Sequence, residues 1–99
     1  MMYEMDYSEL ARGDVREITL WYRNEQEGLE FRFLLSLDAA VNSLSKNPVI
    51  YQINFGSIRS VLLYRFPYRV YYFIENNRII ISGVIHVNRS PRVIKKRIK

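Results

Sequence analysis

The chain has no cysteine, and its 99 residues include a single histidine and a single tryptophan. Disulfides and thiolate metal sites are therefore excluded, and one histidine without a cysteine cannot build a zinc site. A cysteine-free chain fits a reducing cytosol, and a cytoplasmic location is the expectation. The four glycines form no phosphate-cradling loop, and Asp6, Glu9 and Asp14 do not make a calcium loop. No cofactor is expected. No apolar run is long enough to span a bilayer, and residues 1–6 lack the basic-then-apolar pattern of a signal peptide. No membrane partner is expected either. Acidic residues are scarce in one half only. Residues 51–99 hold ten basic residues against the single carboxylate of Glu75, whereas residues 1–50 hold five basic and nine acidic ones. That imbalance points to a face that meets a polyanion or an acidic partner.

What is present is a folding composition: 48% hydrophobic and 14% aromatic residues. The length suits one domain, 1–99, with 93–99 read as a flexible basic tail. A short strand is expected near Tyr3 to Asp6. Ser8 can then cap a helix whose inward face is Ala11, Val15, Ile18 and Tyr22. A polar turn follows over Asn24 to Gly28. A second helix runs from about Leu29 to Lys46, with Phe33, Leu37, Ala40, Val41 and Leu44 as its stripe. Asn47-Pro48 stops it, because proline disfavours helical geometry in the residue before it.

Beyond Pro48 the chain is rich in Ile, Val, Tyr and Phe. Strands are expected at about 49–54, 58–66, 68–75 and 78–88, the last two joined as a hairpin through Asn76-Asn77. Helices followed by strands imply an α+β fold: an αα-hairpin packed on one face of a curled antiparallel sheet of four to five strands. The other face would be free for function. Arg59, Val61, Leu63 and Arg65 would share one strand face if the strand has no bulge.

Several pieces of the chain resemble the RelE/ParE toxin family. One is the second-helix spacing Gly28-Leu29, Arg32-Phe33-Leu34, Leu37, Ala40-Val41, Leu44, Asn47-Pro48. Another is Ile58-Arg59-Ser60 leading to Arg65-Phe66-Pro67-Tyr68-Arg69-Val70-Tyr71-Tyr72. The third is the closing Val84-Ile85-His86-Val87-Asn88-Arg89-Ser90-Pro91. The wording around Phe66-Pro67-Tyr68 and His86 is nearer to the ParE-like side. The resemblance implies a growth-arresting toxin of a bacterial type II toxin–antitoxin system, of the sort linked to plasmid stabilization. It implies a cognate antitoxin as partner, with a homodimer or a hetero-oligomer as the assembly. Its target would be DNA gyrase, bound and inhibited, or ribosome-bound mRNA, cut by a RelE-like endonuclease. An inactive relic or a basic nucleic-acid-binding module on the same fold is a third reading.

For target binding the candidates are Arg59, Arg65, Arg69, Arg89 and Arg92. If the protein is a nuclease, the catalytic set would be His86, Arg59, Arg65 and Arg89. Arginine clamps phosphate but does not readily act as a base, and histidine is the side chain that titrates near neutrality. Glu75 lies beside a turn, a poor place to organise proton transfer. The cationic part of a nuclease site is well stocked and its acid–base part is thin, so binding is the favoured mode. His86 has a plainer reading, as a strand-end histidine that bonds locally and fixes the next turn. Tyr64, Phe66, Tyr68, Tyr71, Tyr72 and Phe73 read mainly as core and cross-strand partners rather than base-stacking platforms. Trp21 and Tyr22 are candidate partner-binding aromatics, since adjacent residues cannot both face the core.

Overall fold

The computed structural model describes residues 3–98. The elements are β1 (Glu4–Tyr7), α1 (Glu9–Glu25), α2 (Leu29–Lys46), a short 3-10 turn (Pro48–Ile50), β2 (Ile53–Phe55), β3 (Ile58–Leu62), β4 (Tyr68–Glu75), β5 (Arg78–His86) and α3 (Pro91–Ile98). The fold is α+β, with a five-stranded sheet in the order β1-β5-β4-β3-β2. The sheet is mixed rather than purely antiparallel, because β1 enters beside β5 and runs parallel to it. On that edge Arg78 pairs with both Glu4 and Asp6.

The first two helices form for the reasons legible in the chain. Ser8 holds an extended backbone, and its hydroxyl accepts the Ala11 N–H at 3.1 Å, satisfying a helix-end donor. Ala11, Ile18 and Tyr22 are buried on the inward face. Between the helices Gly28 has φ +90°, a conformation glycine adopts without strain. Glu30 is buried in the following turn. It accepts the Gly28 N–H at 3.1 Å and the Arg23 guanidinium at 3.3 Å, so the carboxylate clasps both sides of the connection.

The sheet departs from the expected strands in two places. The segment after Pro48 makes a 3-10 turn before a three-residue strand, because Pro48 sits at its first position with φ already set. The strand expected to reach residue 66 stops at Leu62. There the chain turns through Tyr64 and Arg65, the latter at φ +67°, and Leu63 N–H to Tyr68 O at 2.9 Å closes the loop. Ser36 on α2 donates to the Tyr64 carbonyl at 2.8 Å and ties this loop to the helices. The β4–β5 hairpin is as expected, with Asn76 and Asn77 both at positive φ.

A bulge in β5 decides which residues meet which layer. Tyr72 pairs with Ile81 and Tyr71 with Gly83, so Ser82 is an extra residue. Before it, Ile79 and Ile81 pack with Val70, Tyr72, Phe33 and Leu44 in the main core under α1 and α2. After it, Val84 continues that side, while Gly83 shares the opposite face with Tyr71 and Ile85. Tyr72 is fully buried, and its hydroxyl donates to the Pro48 carbonyl at 2.6 Å.

The second face of the sheet is not left free. Of residues 93–99, read from sequence as a flexible basic tail, Lys99 lies outside the described residues and 93–98 belong to α3, which lies on that face. Ile94 and Ile98 are buried there with Tyr71 and Ile85. The helix approaches so closely that a Cβ built on Gly83 would come within 2.7 Å of the Ile98 Cδ1. Arg97 secures it to α1: its guanidinium meets Asp14 at 2.5 Å and donates to the Ser82 carbonyl at 3.3 Å. Asp14 also accepts the Val84 N–H at 2.9 Å. One carboxylate thus joins α1, the strand just past the bulge, and α3. The isoleucine spacing that docks the helix is hidden in sequence by the surrounding cations.

Burial and neighbouring groups raise tyrosine pKa values in this core. Tyr22 is pushed up to about 12 by burial, then by the nearby Tyr68 hydroxyl. Burial also pushes Tyr72 up to about 12, against the opposing pull of the Arg59 charge. In the unfolded chain such phenols ionise near 10. Their contribution is therefore present in full below that value and is lost as pH rises toward 12, because only the unfolded state releases protons there. Denaturation midpoints should fall between these limits. A midpoint unchanged across that window would contradict the placement of these two rings.

Candidate functional site

A pocket of about 590 Å³ opens between α1 and the end of β5. Its walls include Glu17 and Trp21 from α1, His86 and Arg89 from the β5 end and its turn, and Val93 from α3. The aromatic floor continues inward. Tyr68 meets the His86 ring edge-on at 5.3 Å and Tyr22 at 6.3 Å, and Tyr22 packs on Phe33 and Phe66. Such edge-to-face contacts are favourable between ring quadrupoles and hold the histidine in one orientation.

His86 makes the local bond of its plainer reading. Its Nδ1 accepts the Asn88 N–H at 3.0 Å and shapes the turn after β5. Val87 N–H donates to Pro67 O at 2.9 Å, which brings the Arg65 loop to the same end of the sheet as the His86–Arg89 turn. That end collects Arg65 and Arg89, both exposed.

The other sequence candidates go elsewhere. Arg59 lies on the helix-facing side, where its Nη1 donates to the Val49 carbonyl at 3.0 Å and the Tyr51 carbonyl at 2.7 Å. It braces the 3-10 turn, and the shared face with Leu63 and Arg65 does not form because β3 ends before them. Arg65 stacks over the Tyr64 ring at 5.1 Å. Arg69 projects from the opposite face, pairing across β3 and donating to the Ser60 hydroxyl at 3.0 Å. That hydroxyl in turn donates to Asn54 at 2.5 Å. Arg92 is exposed on the first turn of α3. The five arginines therefore do not converge into one clamp.

The aromatic pair divides cleanly. Tyr22 is 8% exposed and belongs to the core, so it is unavailable to a partner. Trp21 is 54% exposed at the pocket rim. Leu20 on α1 and Phe31 and Leu35 on α2 are also more than half exposed. Phe31 and Leu35 are one helical turn apart, so α2 carries an exposed apolar pair of the kind found at protein-binding surfaces. In sequence Leu20, Phe31 and Leu35 are indistinct, because each falls beside core positions on its helix.

Asp14 and Arg97 are the structural residues that sequence reasoning missed. Asp14 sits one turn after the buried Ala11, and Arg97 lies between the buried Ile94 and Ile98. An acid and a base beside buried positions on their helices are the signal that could have paired them. Among the described residues no cluster of His, Asp and Glu could hold a metal ion, and no helix is long and apolar enough to cross a membrane.

Comparison with known proteins gives a consistent answer. The family model for the ParE toxin of the type II toxin–antitoxin system parDE matches residues 5–91. Curated protein sequences give no match. Among solved structures, the chromosomal ParDE toxin–antitoxin system of P. aeruginosa is similar with a TM-score of 0.76 at 15% identity, covering 86% of this chain and 96% of that one. The RelBE2 toxin–antitoxin complex of Mycobacterium tuberculosis is similar with a TM-score of 0.60 at 22% identity, covering 87% and 99% respectively. At those identities the structural likeness is one of fold, and the sequence match carries the assignment: the chain belongs to the ParE toxin family of type II toxin–antitoxin systems.

Proposed function

We propose that this toxin arrests growth by binding and inhibiting DNA gyrase, without cutting nucleic acid, and that a cognate antitoxin neutralises it. The observation that carries the reading is the separation of the proton-transfer groups. His86 pairs with Tyr68 at one end of the β4–β5 hairpin, and Glu75 pairs with Arg78 at the other. Seven steps along the strand from Tyr68 to Glu75 put them roughly 23 Å apart. A nuclease needs an acceptor, a donor and cations around one phosphate. Here the only histidine uses Nδ1 to shape a turn, and Arg59 is engaged by backbone carbonyls.

The protein-binding side of the reading rests on the exposed Phe31 and Leu35 of α2 and on Trp21. Both ParDE and RelBE2, whose folds this chain shares, are toxin–antitoxin systems. Trp21→Ala should change stability by less than about 1 kcal/mol, because the ring is mostly in water already. Its complex with the antitoxin should weaken at least roughly tenfold, as expected for an interfacial tryptophan. Calorimetric titration of parent and variant measures this, and equal affinities would remove Trp21 from the interface.

The function itself is tested by two assays run side by side. Purified gyrase should lose supercoiling activity on addition of the toxin and regain it when antitoxin follows. Messenger RNA in programmed ribosomes should stay intact. Cleaved mRNA with unaffected supercoiling would replace the proposal with the RelE-like endonuclease.

A further inference from the structure

We propose that the outer face of α3, together with Arg89 in the turn before it, is a contact surface for the phosphate backbone of duplex DNA. This goes beyond gyrase inhibition and does not depend on it. The basis is a set of cations left without carboxylate partners on a helix held firmly in place. After Glu75 the sequence contains no acidic residue. Of the cations beyond it, Arg78 and Arg97 are neutralised by acids from the N-terminal half. Arg89, Arg92, Lys95 and Lys96 are exposed and take part in none of the ion pairs among the described residues.

These four are not carried on a loose tail. Burial of Ile94 and Ile98 turns their helix in one fixed direction, the Arg97–Asp14 pair locks it to α1, and Gly83 lets it lie close on the sheet. Lys95 is further steadied over the Phe55 ring, 5.9 Å from its centroid. Arg92 and Lys96 then stand about 6 Å apart along the axis of one helical turn. A row of cations with preset spacing suits a duplex, which presents a charge every ~1.7 Å of its axis.

The chemistry of the patch selects among polyanions. A protein partner would be expected to find buried aromatic or aliphatic anchors, and those lie on the helical hairpin, in Trp21, Phe31 and Leu35. The outer face of α3 offers little apolar surface besides Val93. Single-stranded nucleic acid is held by aromatic side chains on which bases stack. α3 itself carries no aromatic side chain, and the exposed ring nearest it, Trp21 across the pocket from Arg89 and Val93, is the one proposed above to meet the antitoxin. Cations without stacking rings favour the backbone of a duplex.

The test uses the purified full-length chain and a short fluorescent duplex of mixed sequence, followed by anisotropy over a range of salt. Binding should weaken steeply with salt. Replacing Arg92→Gln together with Lys96→Gln should reduce affinity roughly 10- to 30-fold near physiological salt and lower the salt slope by about 2. The melting temperature should be unchanged, since both side chains are exposed. The charge-retaining pair Arg92→Lys with Lys96→Arg should bind as the parent does. Parent and Gln-variant affinities within about twofold would overturn the proposal. So would polyglutamate displacing the duplex equally well per unit charge, which would point to an acidic protein, or tighter binding of single-stranded RNA. No gyrase is present, so failure here is distinct from failure of the gyrase reading.

Discussion

Phe33→Ala is expected to lower the unfolding free energy by about 3–5 kcal/mol, the range for emptying a buried aromatic site. Phe33 is fully buried on α2 and is where the helical layer meets the sheet. Its ring lies 5.7 Å from Tyr22, 5.7 Å from Phe66 and 5.8 Å from Tyr68. Truncation would leave a cavity with Tyr22 on one side and the Phe66-Pro67-Tyr68 corner on the other. Those rings come from three separate elements and cannot collapse together without moving the loop that Ser36 ties down. A domain of this size is stable by only about 5–15 kcal/mol, so a large share of the total is at risk. Chemical denaturation of the parent and variant measures it. A loss below about 1 kcal/mol would mean that the cluster is not the keystone of the core.

Asp14→Ala is expected to cost about 2–4 kcal/mol and to loosen α3 selectively. The substitution leaves the Arg97 guanidinium without its counter-charge and the Val84 N–H without its acceptor. An unpaired, part-buried donor keeps its desolvation cost after the compensating bond is gone. Asp14→Asn should be milder, since its amide oxygen can still accept from Val84 while the ion pair is lost. Hydrogen exchange should show early opening of residues 91–98 in the alanine variant, with the β4–β5 hairpin protected as in the parent. Uniform loss of protection would indicate that Asp14 supports the whole fold rather than the docking of one helix.

The two predictions concern parts of the molecule that differed in how readable they were. The Phe33 layer was plain in the chain: Ser8 as a cap, the stripe on each helix, Pro48 as a stop and Asn76-Asn77 as a hairpin turn all carry their structural meaning locally. The α3 layer was not. Ile94 and Ile98 are only two apolar positions among cations, too few to distinguish a docked helix from a solvated end. What docks them is remote: a glycine opposite Tyr71, an acid on α1, and a bulge at Ser82 that leaves no mark in composition. The same limit applied to the candidate site. Arginine content and positions were visible, but the termination of β3 at Leu62 sent Arg59 and Arg65 to different surroundings. The parallel partner of β5 was also hidden, because pairing direction depends on where the chain enters the sheet. Trp21 and Tyr22 illustrate the boundary: sequence shows that one must face outward, and only packing on Phe66 and Tyr68 shows which.

The central claim is that this toxin works by binding and not by proton transfer, and His86→Asn tests it most directly. Asparagine offers a side-chain oxygen that can accept from the Asn88 N–H and keep the turn, while removing the one side chain whose ordinary pKa lies near neutrality. The quantity to measure is the toxin concentration needed for half-inhibition of gyrase supercoiling, alongside growth arrest on induced expression. The account predicts that both stay within about threefold of the parent. A general acid or base in a reaction typically contributes 10²- to 10⁴-fold, so loss of growth arrest by about 100-fold or more in a folded variant would contradict it.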